Sequence, residues 1–235
     1  KPRGDYHWFD GDGMVHGVYF RDGRASYIRK WVQTRALHDE IERGKVELSG
    51  IMGPYDLSGI AGHEVESMNP DYCKDTSNTT LNFHNGRILS AWYNAGRVYS
   101  LDPLTLETEG EQDFAGGLDT PMNAHGKTDP RTGEFINYGY ADFQPWLTYY
   151  VIGADGSVKH RTRIDLPGPR LPHDTTITPN YTILHDFPLF HDVDVLKRTG
   201  HRVVQFKRDL PTRFGVIPRY GTQEQVRWFE FEPGY

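Results

Sequence analysis

Paired turn residues at short, even intervals constrain this chain more than any other feature. Asp12-Gly13 and Asp22-Gly23 stand ten residues apart, as do Asn85-Gly86 and Ala95-Gly96, and Asp155-Gly156 follows later. Asp-Gly and Asn-Gly accept the positive φ that tight hairpin turns require, so each pair is expected to reverse a strand. The intervening segments are rich in β-branched and aromatic residues. Residues 15–20, 26–32, 88–93, 97–101, 148–152 and 182–184 all read as short strands. A second echo matches Asp102-Pro103-Leu104-Thr105-Leu106-Glu107 to Asp129-Pro130-Arg131-Thr132-Gly133-Glu134. Asp first and Pro second suit a type I turn, so the echo reads as one turn used twice.

Helical signal is thin. Residues 35–45 place Leu37 and Ile41 four apart, enough for about three turns, and residues 192–198 give one or two more. Long βαβ patterns are absent, which excludes a parallel-sheet fold. The chain is therefore all-β, and periodicity alone leaves a propeller, a sandwich and a barrel open. Its 25 Gly and 15 Pro are spread along the sequence rather than gathered into a linker, so residues 1–235 read as one domain.

Charge and cysteine usage bound the partners. A net charge of −6 with no basic run excludes a nucleic-acid surface. No apolar stretch approaches the ~20 residues of a membrane span, and the start has no signal-peptide pattern. One cysteine, Cys73, closes no internal disulfide, so a reducing compartment is expected and the protein reads as soluble and cytoplasmic. The Asn-x-Thr triplets at Asn78 and Asn180 carry no meaning there.

Chemistry is carried by the histidines, of which there are 11. Neutral imidazole binds iron, copper and zinc. No His-Glu-x-x-His pattern and no zinc spacing of His and Cys is present, so a metal site must collect ligands from distant strands. His125 lies in Pro121-Met122-Asn123-Ala124-His125-Gly126-Lys127-Thr128-Asp129-Pro130. His173 lies in Leu171-Pro172-His173-Asp174-Thr175-Thr176-Ile177-Thr178-Pro179-Asn180-Tyr181. From the residues alone, each reads as a hydrogen-bonded structural histidine or as a metal ligand.

A run of further motifs gives these two histidines a context. Trp8-Phe9-Asp10-Gly11-Asp12-Gly13-Met14-Val15-His16-Gly17 resembles the opening motif of the carotenoid cleavage oxygenases. Lys74-Asp75-Thr76-Ser77-Asn78-Thr79, the Asp102-Pro103 turn, the His125 and His173 segments, Phe187-Pro188-Leu189 and Arg213-Phe214-Gly215-Val216-Ile217-Pro218-Arg219 follow in that family's order. The resemblance covers essentially the whole chain and identifies it with the family's amino-terminal half. It implies a seven-bladed β-propeller with Fe(II) on the axis, held by four histidines from different blades. His125 and His173 match the first two. The implied reaction is cleavage of a polyene double bond by O2, giving two carbonyl products, with the protein positioning a carotenoid or apocarotenoid in an apolar tunnel.

The resemblance places the third histidine beyond Tyr235 and the fourth near the family's carboxyl terminus. The chain is thus expected to supply two ligands of four and about half the blades; either a companion chain completes the ring or the sequence is a fragment. Peripheral membrane contact is a further family trait, unsupported by any amphipathic helix here. Asn94 falls where the family often carries a glutamate that orients a ligand histidine.

Other residues take plainer readings. His16 and His84 read as structural. His185 and His191 are the only improvised ligands at hand, while His7, His38, His63, His160 and His201 read as surface positions. Cys73 lacks an activating partner for a nucleophilic role. Tyr6, Trp8, Phe9, Trp92, Tyr93, Phe143, Trp146 and Tyr149 fit either tunnel lining or core. Lys74 suits a phenolic or hydroxylated end group, or a salt bridge with Asp75 or a neighbouring carboxylate. Three alternatives stand beside the carotenoid reading: stilbenoid cleavage, a metal-free propeller fragment that binds or scaffolds, and a propeller hydrolase using paired carboxylates.

Overall fold

The computed structural model describes residues 4–55, 73–93, 96–118, 120–140 and 146–234. A hairpin opens the chain, β1 (Met14–Arg21) with β2 (Arg24–Trp31), and α1 (Arg35–Arg43) follows. β3 (Thr80–His84), β4 (Arg87–Ala91), β5 (Tyr99–Leu101) and β6 (Thr108–Glu111) form a four-stranded antiparallel meander. β7 (Lys127–Thr128), β8 (Phe135–Tyr140), β9 (Leu147–Ile152) and β10 (Val158–Ile164) form a second. The third sheet joins β11 (Thr175–Ile177), β12 (Tyr181–Asp186), β15 (Thr212–Pro218) and β16 (Arg227–Phe231) in that order. A hairpin of β13 (Leu189–His191) and β14 (Val204–Phe206), with α2 (Val193–Thr199) between its strands, is inserted after β12.

Most turn expectations hold. Asp22-Gly23 and Asn85-Gly86 both take positive φ and close the β1–β2 and β3–β4 hairpins, and Gly156 does so between β9 and β10. The repeated Asp-Pro hexapeptide is one turn used twice. Asp102 N–H donates to Glu107 O at 3.0 Å and Asp129 N–H to Glu134 O at 2.8 Å, with Leu106 and Gly133 left-handed at equivalent places. Asp12-Gly13, however, is no hairpin turn. Gly13 has no positive φ and lies against the backbone of 76–77, where a Cβ would collide with Ser77 O. Gly96 likewise has no positive φ and is bridged to Met122. The glycines there answer to close packing rather than to φ.

Both helices form where expected and are capped locally. Thr34 Oγ1 accepts from Leu37 N–H at 3.1 Å, and Asp192 Oδ1 from Val195 N–H at 3.0 Å. Left-handed Gly44 and Gly200 end them, which stops α1 at Arg43 rather than at Lys45.

Apolar layers lie between successive sheets. Val15 and Val32 pack with Tyr99, Leu101 and Leu106 between the hairpin and the first sheet. Leu89, Val98 and Met122 meet Phe135, Tyr150 and Ile152 between the first and second. Tyr138, Leu147, Tyr149 and Val151 meet Leu184 and Ile217 between the second and third. The second sheet is therefore buried on both faces, and β8 and β9 show no in–out alternation.

Candidate metal centre

The two motif histidines occupy the same place in successive sheets. His125 stands two residues before β7, and His173 two before β11. β7 and β11 are the first strands of their sheets and run close to one another. The two imidazoles consequently meet with ring centroids 4.8 Å apart and planes 33° from parallel. The corresponding place before β3 holds Asn78, whose amide donates to Phe9 O at 2.9 Å and to Gly11 O at 2.6 Å. The first sheet offers no imidazole at that position.

Buried Asn123 and Asn137 and the partly exposed Lys127 and Asp174 hold the two segments. His125 N–H donates to Asn123 Oδ1 at 2.6 Å. Asn123 Nδ2 donates to Tyr138 Oη at 2.9 Å, to His173 O at 3.1 Å and to Pro172 O at 3.3 Å. Lys127 Nζ donates to His125 O at 2.8 Å and to Asp174 Oδ1 at 2.6 Å. Asn137 Nδ2 donates to Asn123 O at 2.8 Å, and a Cβ on Gly126 would collide with the Phe135 ring that packs there. Burial raises the Asp174 carboxyl, but the Lys127 hydrogen bond and the Thr175 N–H outweigh it and hold the pKa below the ordinary value.

His125 Nε2 is buried with no hydrogen-bond partner. Burial pushes the His125 pKa down, against the Asp174 charge and with help from His173 and Lys127. Its ring is thus kept neutral near pH 7, the form that offers a lone pair to a metal. The His125 ring, with its unsatisfied buried nitrogen, and the exposed His173 ring beside it fit a transition metal. His185 lies on β12 one position beyond the Thr175–Leu184 pair, facing the Asp174 end of β11. Its Nδ1 is also buried and unpartnered, its ring stacks on Phe187 at 5.0 Å, and burial pushes its pKa down. His191 is buried at the end of β13. Among the described residues, ligand atoms of three His, Cys, Asp or Glu side chains cluster within 4.8 Å at His38, Asp39 and Glu42 of α1. That group is an ordinary exposed helical pair, His38 to Glu42 at 3.7 Å, with a neighbour.

The other expected residues divide. His84 is structural, its Nε2 bonded to Gly153 O at 2.9 Å, and exposed His16 bonds Tyr27 Oη at 2.5 Å. His7, His160 and His201 are half-buried rather than surface residues, and His160 Nε2 bonds Gly221 O at 2.8 Å. Lys74 is committed to an ion pair, with Glu40 Oε2 at 2.7 Å and Asp12 Oδ2 at 3.0 Å. Asp75 instead accepts from Ser77 N–H and Arg97 N–H, and burial lifts its pKa to about 7. Burial also pushes the Cys73 thiol up to about 12, so it is no nucleophile at neutral pH. Trp92 and Tyr149 are core, whereas Tyr6, Trp8 and Phe9 are exposed. Tyr93 and Trp146 are half-buried, and the Tyr93 ring lies 6.4 Å from that of His173. Asn94, Phe143 and His63 lie outside the described residues.

Asn123, Lys127 and Asp174 were given no role by their sequence. Their signal was position: each is within two residues of a motif histidine, and Asn two before a residue readily caps its N–H.

Comparison with known proteins agrees in both sequence and structure. The family model of retinal pigment epithelial membrane protein, RPE65, matches residues 1–235. Carotenoid 9,10(9',10')-cleavage dioxygenase 1 of Phaseolus vulgaris is 35% identical over 240 residues, 97% of this chain and 44% of that protein. Resveratrol cleavage oxygenase 1 of Aspergillus fumigatus is 32% identical over 233 residues, 97% of this chain and 44% of that protein. The lignostilbene dioxygenase of Pseudomonas brassicacearum superposes with a TM-score of 0.81 at 31% identity, covering 97% of this chain and 46% of that one. An apocarotenoid oxygenase of Synechocystis gives 0.79 at 26%, covering 97% and 49%. The chain spans about half the length of these relatives.

Proposed function

The chain belongs to the retinal pigment epithelial membrane protein family, and from that premise we propose that it is the two-histidine part of an Fe(II)-dependent oxygenase. The reaction is cleavage of a carbon–carbon double bond in a carotenoid or apocarotenoid by O2, each former alkene carbon taking one oxygen atom to become a carbonyl. The observation that carries this reading is the meeting of His125 and His173, from successive sheets, at 4.8 Å with a buried unpartnered Nε2. Both side chains would hold the ion, and the three four-stranded sheets would be blades of a ring completed by further polypeptide. Fe(II), when bound, supplies open coordination positions for O2 and the electrons for its activation.

The chain's own residues do the rest. Burial keeps His125 neutral, and the Tyr93 ring beside His173, with the Phe9 ring set edge-on to it at 5.2 Å, offers apolar surface to a polyene. Stilbenoid cleavage is a second reading, favoured by the superposition on the lignostilbene dioxygenase. Lys74 does not help to choose it. Two carboxylates already neutralise that ammonium.

Metal content of the purified chain, with His125→Ala and His173→Ala beside it, tests the site. About one iron per chain, lost in both variants, supports the reading. Iron absent from the parent, or retained by both variants, overturns it for this chain. Aldehyde products from an apocarotenoid against those from a hydroxystilbene then separate the two substrate classes.

A further inference from the structure

We infer that Asn123 is a positioning residue that sets the separation of the two imidazoles, with Lys127 as a second, parallel tie. The inference rests on the metal reading of His125 and His173 and adds to it the groups that fix their spacing. Asn123 is 1% exposed, and its side chain hydrogen-bonds the backbone of both histidines. Its carbonyl oxygen takes the N–H of His125, and its amide reaches across to the carbonyls of Pro172 and His173, which belong to the next sheet.

A neutral amide suits this place because it accepts on one side and donates on the other. Asp would put a negative charge against two carbonyl oxygens, and Ser would keep the His125 contact without the reach to His173. The amide is itself immobilised: Tyr138 Oη accepts from its nitrogen, and Asn137 grips its backbone carbonyl. Lys127 repeats the logic on the outer side, from His125 O to the carboxylate of Asp174, the residue after His173. A ligand ring is aimed in part through its backbone, and these two ties fix the backbones of both histidines. Loss of groups that orient metal ligands commonly costs about 10–100-fold in metal affinity.

The test uses Cu(II) as the probe, in a His38→Ala background that removes the exposed α1 group. Electron paramagnetic resonance counts coordinated ring nitrogens, and a titration gives the Kd. The parent should show a two-imidazole signal, lost in His125→Ala and in His173→Ala. Asn123→Ser and Lys127→Met should each weaken Cu(II) by about tenfold or more and turn the signal toward one imidazole. Asn78→Ala removes a comparable pair of side-chain-to-backbone bonds from the first sheet and should leave affinity and signal unchanged. If Asn123→Ser does not fold, Lys127→Met decides, since that side chain is partly solvent-exposed. Parent affinity and a two-imidazole signal in the folded variants would overturn the inference while leaving the metal site standing. A parent that binds no Cu(II) through His125 and His173 would sink the metal reading and the inference with it.

Discussion

The second sheet and the amino-terminal hairpin are both antiparallel and are held by opposite means. β8 and β9 are buried along their whole length and stand between two apolar layers. The hairpin buries one face only, leaving Val18, Phe20 and Tyr27 exposed on the other. Beside the apolar layer around Val15, it is anchored by a buried polar segment, 74–77. There Lys74 pairs with Asp12 and Glu40, Gly13 N–H donates to Thr76 O at 2.8 Å, and Ser77 Oγ meets Ser90 Oγ at 2.9 Å. Apolar layers give stability that is indifferent to pH, whereas buried ionisable groups tie stability to it.

The largest effect should come from the middle sheet. Tyr150→Ala removes a fully buried ring and strands Thr120 Oγ1, and should cost about 3–5 kcal/mol by denaturant unfolding. A cost below about 1 kcal/mol would mean that the two layers are not tightly packed. Arg219→Met comes next. Its guanidinium bridges Asp129 and Glu134 of the second sheet's turn to Thr178 O of the third sheet, and its loss leaves a buried carboxylate exposed to no cation but Arg131. About 3 kcal/mol is expected, with the third sheet gaining faster hydrogen exchange than the first.

The hairpin's anchor sharpens the contrast through pH. Burial first, against the Arg97 and Ser77 N–H groups, raises the folded Asp75 to about 7. The unfolded value is about 3.9, so the folded state binds the extra proton between the two. Stability should therefore fall as pH rises from about 4 to about 7 and change little from this source above it. Asp75→Asn should flatten that slope in thermal melts, from a lower baseline because Arg97 N–H loses its acceptor. An unchanged slope would show that Asp75 is ionised in the folded chain. The smallest effect belongs to the hairpin's open face: Phe20→Ala, at a residue 82% exposed, should shift stability by less than about 0.5 kcal/mol. A loss above about 2 kcal/mol would show that this face is covered in solution.

How the sequence was legible follows from the same contrast. Hairpin β1–β2 and its turn were readable because one face meets solvent and Asp22-Gly23 carries its own conformational preference. β9 was read to within one residue, as 148–152, but β8 was missed, since a strand buried on both sides lacks the alternation that marks a strand. Gly13 deceived for a similar reason: a glycine required by a neighbour's backbone reads like one required by φ. At the candidate site, motif order singled out His125 and His173, while nothing in the sequence gave Asn123 its reach to His173, fifty residues on.

By itself the sequence determined what is local: repeated turns, short strands and two short helices. Those follow from φ preferences and side-chain patterns within a few residues of each other. The tertiary structure alone decided that positions two residues before β7 and β11 become neighbours, that His125 Nε2 is buried, and that Lys74 is already paired with Asp12 and Glu40. Proximity, burial and charge pairing are properties of stacked sheets, and they exist only once the layers between those sheets have closed.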